Sequence, residues 1–181
     1  DQPYQQSASK GYEADGLLYL KSGSKEQNIL AKQGDDLRID WGYFYMVAGK
    51  ENTAYSVGNS TELRKNFVNG TLNSASLEGE DSNGNMALVR SHGKVKNVTD
   101  KIMLGYDDIY SIQYFGTNLR PYWNSKGDRT IEAEMLAAYN EYDKLLARCY
   151  AFDKKLMEDA SAAGGKEYAE LCALAYRQSI A

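Results

Sequence analysis

The sequence contains little proline (2 residues), a single histidine and no long hydrophobic run. With only His92 available, a zinc site built from several histidines is excluded, and no spacing indicates a Ser-His-Asp arrangement. No apolar run approaches the roughly 20 residues that a helix needs to cross a membrane. A net charge of -4 gives no reason to expect a nucleic acid as partner. These absences favour a globular chain in which His92 is a surface or structural residue.

The two cysteines are equally uninformative about a disulfide-forming compartment. The pattern places Cys149 and Cys172 on successive helices joined near Gly164 and Gly165. At about 1.5 Å per residue, they are offset by roughly 12 Å along the helix axis. A disulfide requires Cα atoms within about 7 Å. We therefore predict free thiols, buried as small apolar side chains.

Tyrosine, by contrast, is abundant (15 residues) and follows strand-like patterns. From 37 to 47 the odd positions are apolar or aromatic, a period of two that predicts a strand with one buried face. Turn signals, including Ser22-Gly23-Ser24, separate further candidate strands. A short helix is predicted over 60–69, capped by Ser60 or Thr61. The other predicted strands cover 17–20, 53–57, 86–90, 102–106 and 109–115.

The pattern changes to helical after Gly127. Apolar positions then recur at spacings of four and three, which predicts a helix of about 30 residues with Asp128 as its N-cap. Gly164-Gly165 ends this helix, and a second one follows to form an αα-hairpin. No stop signal precedes Ala181, so we expect the chain to be a piece of a longer protein. The apolar stripe consists of Ile131, Met135, Ala138, Tyr142, Leu145, Cys149, Phe152 and Leu156.

These patterns predict an α+β protein. An antiparallel β-sandwich-type module over residues 1–126 is followed by a helical hairpin over 127–181. The long apolar stripe of the hairpin requires a partner, which is the β module, further helices of a longer chain or a second copy in a homodimer.

Two sets of residues are candidates for binding a small molecule. Asp107 and Asp108 are adjacent carboxylates suited to acid–base work, although neighbours on a strand point to opposite faces, and loop anchoring is the alternative. Aromatic residues flank Arg120 and would form a sugar- or carboxylate-binding platform, or else pack the junction between sheet and helices. This second set consists of Tyr114, Arg120, Tyr122 and Trp123. Alternation places Trp41, Tyr43 and Tyr45 on one strand face, as core or as a flat sugar-binding surface.

A partial calcium-loop pattern occurs at Asp81, Asn83 and Asn85. Its twelfth position is His92 rather than the bidentate Glu that an EF-hand needs, so we interpret it as an exposed turn. No metal and no cofactor is predicted.

Long segments of the chain resemble glutaminase A-like proteins of Bacteroidetes. One segment is Leu104-Gly105-Tyr106-Asp107-Asp108-Ile109-Tyr110-Ser111-Ile112-Gln113-Tyr114-Phe115-Gly116, followed by Leu119-Arg120-Pro121-Tyr122-Trp123. Another is Ala31-Lys32-Gln33-Gly34-Asp35-Asp36-Leu37-Arg38-Ile39-Asp40-Trp41-Gly42-Tyr43. The last is Tyr168-Ala169-Glu170-Leu171-Cys172-Ala173-Leu174-Ala175-Tyr176-Arg177-Gln178.

The resemblance implies a larger secreted or periplasmic hydrolase that converts L-glutamine to L-glutamate and ammonia. In that family a β-sandwich-type region precedes a six-hairpin (α/α) toroid, so this chain would hold the end of the former and the first hairpin of the latter. The resemblance places no catalytic residue in this chain, because those residues are expected beyond Ala181. It implies that the segment 107–123, with Tyr176 and Arg177, lies at the edge of the site. A toroid of this kind equally suits glycoside cleavage, so a glycoside hydrolase-like or carbohydrate-binding protein is the alternative.

Overall fold

The computed structural model describes residues 7–31, 41–72 and 85–179. All strand pairings in these ranges are antiparallel, and helices occupy the C-terminal part, which confirms the α+β class. The elements are β1 (Ser7–Ala14), β2 (Leu17–Ser24), β3 (Tyr43–Gly49), β4 (Thr53–Gly58), α1 (Ser60–Val68), β5 (Asn85–Arg90), β6 (Met103–Asp107), β7 (Ile112–Tyr114), β8 (Thr117–Leu119), a 3-10 turn (Tyr122–Asn124) and α2 (Ile131–Ser179).

The main sheet has four strands in the order β1-β2-β3-β6, and β4 pairs with β5 in a second sheet. Leu18 and Leu20 of β2 form a buried cluster with Tyr55 of β4. Apolar side chains from both sheets surround this cluster, so the two sheets pack face to face, as the sandwich-type prediction requires. These surrounding residues are Met46, Val57, Met86 and Leu88.

The alternation predicted for the central strand is confirmed where the structure describes it. Tyr45 and Val47 are buried in β3. Residues 32–40, the first part of that predicted strand, lie outside the described residues, as do 81–84 of the calcium-like loop. Gly42 has a φ of +81°, which favours glycine, and β3 therefore begins only at Tyr43.

Three details of the predicted strands and caps are wrong. The predicted turn Ser22-Gly23-Ser24 lies within β2, because these residues pair with β1. The last predicted strand is interrupted by Ile109, whose φ is +58°, and β7 covers only Ile112–Tyr114. The N-cap of α1 is Asn59 rather than Ser60 or Thr61, because the Asn59 side chain accepts a hydrogen bond from the Thr61 N–H.

The cap of α2 also differs from the prediction. Its first helical residue is Ile131, and the Thr130 hydroxyl accepts a hydrogen bond from the Ala133 N–H at 3.2 Å. Thr130 therefore caps the helix, and Asp128 lies two residues too early to do so. Glu132 and Glu134 lie in the first turn, where a negative charge is favoured by the helix dipole.

The chain divides into two compact units, Asp1–Leu136 and Ala137–Ala181. In the second unit, Gly165 (φ +81°, ψ -176°) breaks the helical path of α2. The Phe152 and Tyr176 rings lie 5.0 Å apart, so the helical segments on either side of Gly165 pack against each other as the predicted αα-hairpin.

Both cysteines are free, as predicted, but Cys149 is exposed and Cys172 half-buried, so their predicted burial is wrong. The physical reason is that much of the apolar stripe of this unit is solvent-exposed.

None of the helices in the described part of the chain combines the length and the hydrophobicity of a membrane-spanning segment.

Candidate functional site

Asp107 and Asp108 lie at the end of β6, where the chain turns into an irregular segment. Asp107 Oδ1 accepts a hydrogen bond from the Ile109 N–H at 3.1 Å, and Asp108 Oδ2 accepts one from the Ser111 hydroxyl at 2.6 Å. Each carboxylate thus anchors the residues that follow it, and these bonds help hold Ile109 in its left-handed conformation. The alternative prediction, that these carboxylates anchor a loop, therefore explains the hydrogen bond made by one oxygen of each.

These two residues also line a cleft of about 590 Å³, which is within the size range of small-molecule sites. The Trp41 indole N–H is shared between the carbonyl oxygens of Asp108 (2.8 Å) and Tyr110 (2.9 Å), which fixes one wall. The lining combines four aromatic residues (Trp41, Tyr43, Phe44 and Tyr106) with four polar residues (Ser22, Ser24, Asp107 and Asp108) and two glycines (Gly23 and Gly42).

The most accessible aromatic surface of this cleft is Tyr106. It pairs with Phe44 across the strands, with ring centroids 5.2 Å apart, and is 71% exposed. Asp107 is adjacent to Tyr106 on β6, so its side chain lies on the opposite face of the sheet. The cleft therefore offers an aromatic face for stacking, whereas the Asp107 carboxylate is directed away from that face.

Two residues of the predicted aromatic platform, Arg120 and Tyr114, contact side chains outside that set. Arg120 places its guanidinium 5.1 Å from the Tyr110 ring centroid. Tyr114 is exposed on β7 and packs edge-on against Phe115, whereas Trp123 is half-buried in the 3-10 turn. Tyr122 is almost fully exposed.

Tyr176 and Arg177 belong to the second unit. They line an apolar groove of about 890 Å³ on the hairpin, together with Leu145, Phe152 and Leu156. Tyr176 is partly covered there by its contact with Phe152.

His92 has the structural role that the sequence predicted. Its Nε2 lies 3.0 Å from Asp100 Oδ2, and the Arg90 guanidinium donates to both oxygens of the same carboxylate, at 2.6 and 2.9 Å. These Arg90 hydrogen bonds lower the pKa of Asp100. Among the described residues, no group of three or more His, Cys, Asp or Glu side chains is arranged to hold a metal ion.

Sequence patterns did not indicate a polar cluster in the first unit, the tyrosine–glutamate junction of Tyr12, Tyr19 and Glu132. The Tyr12 hydroxyl donates to Glu132 Oε1 at 2.6 Å, and the Tyr19 hydroxyl donates to the Glu132 carbonyl oxygen at 3.3 Å. The two rings stack with centroids 5.1 Å apart. The first turn of α2 is thereby attached to the main sheet.

Apolar contacts accompany these hydrogen bonds. Ile131 and Met135 are buried, and a Cβ at Gly105 would lie 3.0 Å from the Met135 sulfur. Gly105 in β6 thus leaves room for Met135. A glycine inside a predicted strand is the sequence signal for such a close approach.

Burial at the junction changes the titration of its tyrosines. Burial and the nearby Glu132 carboxylate raise the pKa of Tyr19 to about 12. The pKa of Tyr12 is raised by burial and by its hydrogen bond to Glu132, and burial also raises the pKa of Tyr45.

We expect these shifts to make the first unit unstable at high pH. A tyrosine whose folded pKa exceeds its unfolded value of about 10 stabilises the fold fully below pH 10. As pH rises from 10 towards 12, the unfolded state loses protons first, and each such tyrosine lowers the free energy of unfolding by up to about 1.4 kcal/mol per pH unit. Urea unfolding at pH 9, 10 and 11, with tyrosinate absorbance at 295 nm, measures the effect. Constant stability across this range would contradict the burial of the junction.

Comparison with known proteins assigns a family but no activity. A profile described as "Domain of unknown function (DUF5127)" matches residues 1–159. No curated protein and no solved structure matches the chain.

Proposed function

We propose that this chain, which belongs to the DUF5127 family of domains of unknown function, is a non-catalytic part of a larger secreted hydrolase of the glutaminase A-like type. In this proposal the β-rich unit supports the start of a helical catalytic domain, and the parent protein converts L-glutamine to L-glutamate and ammonia. Secretion to the periplasm or the cell exterior is part of the same proposal.

The main evidence that the β-rich unit supports the start of the helical domain is the tyrosine–glutamate junction. Two hydroxyls of the sheet bind Glu132, one at its side chain and one at its backbone, while Ile131 and Met135 are buried. The hydrogen bond to the carboxylate contributes about 1.5–3 kcal/mol and the one to the backbone carbonyl about 0.5–1.5 kcal/mol. Burial of each apolar side chain adds about 1.5–3 kcal/mol. A sheet that holds the first turn of a long helix fixes where that helix starts.

The exposed stripe of the second unit supports the presence of further helices in the parent protein. Isolated apolar residues on a surface are ordinary, but a stripe repeated along a helical hairpin is typical of a packing face. The same stripe is compatible with a homodimer of the isolated chain. The exposed large side chains of this unit are Tyr142, Leu145, Tyr150, Phe152, Tyr168, Leu171, Leu174 and Tyr176.

The cleft beside Asp107 and Asp108 is where this unit would contribute to substrate binding. Its volume suits a small amide, and the Asp108 carboxylate that lines it is oriented by the hydrogen bond that Oδ2 accepts from the Ser111 hydroxyl.

A carbohydrate-binding role is the second candidate, because the exposed ring of Tyr106 beside Phe44 suits stacking against a sugar. Tyr45 is buried, however, and Trp41 and Tyr43 are half-buried, so the predicted flat tyrosine surface is not available.

Ammonia release from L-glutamine tests the proposed activity. We expect release by a longer parent protein that contains this chain and none by the 181-residue chain itself. A parent without activity on L-glutamine would contradict the glutaminase proposal, and binding of a glycan panel by the chain, lost in Tyr106→Ala, would favour the second candidate.

The supporting role makes a separate prediction about stability. Tyr12→Phe removes the hydroxyl that donates to Glu132 and leaves its carboxylate short of a donor, so we expect a loss of about 1–3 kcal/mol in the free energy of unfolding. Tyr106→Phe is the matched control, because that ring is 71% exposed, and we expect its effect to be within about 0.5 kcal/mol. Equal effects of the two substitutions in urea titrations would show that the junction contributes little.

A further inference from the structure

Two lysines face each other directly on the main sheet. Lys10 of β1 and Lys21 of β2 are cross-strand partners, so their side chains lie on the same face. Like charges in this position are destabilising unless something compensates them. The next partner of Lys21 across the sheet is Tyr45 of β3, not an acidic residue.

Aromatic rings compensate these charges only in part. Lys21 Nζ lies 3.6 Å from the Tyr43 ring centroid and 5.6 Å from that of Tyr45, and Lys10 Nζ lies 5.8 Å from that of Tyr12. A cation–π contact attracts an ammonium group electrostatically. It does not supply an oxygen acceptor for any of the three N–H donors of that group.

Neither ammonium forms an ion pair or a hydrogen bond with an oxygen acceptor in the part of the chain that the structure describes. Glu132 and Asp107 influence Lys21 electrostatically, but neither lies within ion-pair distance, and the Glu132 carboxylate accepts from Tyr12. Burial and the neighbouring Lys10 lower the pKa of Lys21, and the two carboxylates oppose that change. A bound anion is stabilised most strongly by electrostatic attraction when a half-buried cation lies next to a second cation.

A small concavity of about 120 Å³ lies at this position. It is lined by Lys10, Lys21 and Tyr43, with Ala8 and Ser9. Its volume accommodates a carboxylate group and little more.

We propose that this concavity binds the carboxylate group of a small ligand between the ammonium groups of Lys10 and Lys21, against the edge of Tyr43. A singly charged oxyanion is favoured over a phosphate dianion, because Asp107 and Glu132 contribute negative charge from the same side of the sheet. The site shares Tyr43 with the cleft beside Asp107 and Asp108, but its test does not depend on glutamine hydrolysis.

Acetate is the simplest probe of this site. We expect sodium acetate, added at constant ionic strength against sodium chloride, to shift the backbone amide resonances of residues 8–10, 21 and 43 in a saturable way. Two charge-assisted hydrogen bonds near the lower end of their usual strength correspond to a Kd on the order of 1–10 mM. The bound carboxylate also raises the pKa of Lys21, which the Lys21 side-chain NMR signals measure directly.

Substitutions distinguish binding from a general salt effect. Lys21→Met and Lys10→Gln are each expected to weaken acetate binding at least about tenfold, the loss of one charge-assisted contact. Lys126→Met is the control, because this exposed lysine lies outside the concavity, and it should leave binding unchanged. Dispersed amide spectra establish that each variant is folded. If Lys21→Met does not fold, Lys10→Gln still tests the site, because Lys10 is exposed on the edge strand β1.

Three outcomes would overturn the proposal. They are amide shifts that chloride reproduces, retention of acetate binding in both lysine variants, and tighter binding of inorganic phosphate than of acetate.

Discussion

Leu20→Ala is expected to lower the free energy of unfolding of the first unit by about 3–5 kcal/mol, the upper part of the range for a leucine deleted from a closed core. Leu20 is fully buried in the cluster with Leu18 and Tyr55, between the main sheet and the β4–β5 sheet. Truncation leaves a cavity that two rigid sheets close only partly. Urea denaturation followed by circular dichroism measures the loss.

The main sheet supplies a matched control for this substitution. Leu20 pairs with Met46, and Met46 pairs with Leu104, so all three lie in one row on one face. Leu104 is 62% exposed, because the second sheet does not cover that end of the row. We expect Leu104→Ala to cost less than about 1 kcal/mol. Similar losses for the two substitutions would contradict the face-to-face packing of the two sheets.

Gly11→Ala is the second substitution with a large expected effect. A Cβ at Gly11 would lie 2.0 Å from Cε2 and 2.5 Å from Cδ2 of the Tyr55 ring. That ring is fully buried, so it cannot move aside without disturbing the core. We expect a loss of about 2–3 kcal/mol, as for other overpacked cores, measured by urea denaturation.

Two further variants control for the effect on stability of replacing any glycine by alanine. They are Gly58→Ala and the double variant Gly11→Ala/Tyr55→Leu. A Cβ at Gly58 meets no atom within 4 Å, so the lower entropy of the unfolded chain should make this variant neutral or slightly more stable. Tyr55→Leu removes the clashing ring atoms, and adding Gly11→Ala to that variant should cost much less than adding it to the native chain. A full cost in the Tyr55→Leu background would show that Gly11 is required for another reason.

The class of the fold was predictable because it depends on periodicity. Alternation marked the buried positions Tyr45 and Val47, and spacings of three and four marked the helix that begins at Ile131. Both signals come from many residues acting together, so single exceptions do not remove them.

The details that failed depend on single backbone conformations. Ser22-Gly23-Ser24 has the composition of a turn, yet strands on both sides of β2 hold it extended. Ile109 adopts a left-handed φ that β-branched residues rarely take, and the preceding Asp107 side chain bonds its N–H. Tertiary contacts determine the backbone conformation of such residues, and the local sequence does not encode those contacts.

The candidate site was less predictable than the fold. Adjacency in sequence identified Asp107 and Asp108, but their cleft is completed by Trp41, Tyr43 and Phe44 from a different segment of the chain. The tyrosine–glutamate junction joins residues 120 positions apart, Tyr12 and Glu132. No spacing rule relates residues at such a separation, so only the folded sheet reveals the pair.

The proposed supporting role depends on how firmly the β-rich unit holds the first turn of α2. Hydrogen–deuterium exchange at the amides of Met135 and Leu136, measured on the 181-residue chain and on a Met135→Asp variant, tests this most directly. We expect slow exchange in the native chain, comparable to that of β2, and much faster exchange in the variant, with β4 and β5 unchanged. Rapid exchange at these amides in the native chain would contradict the account, because the sheet would then not hold the start of the helix.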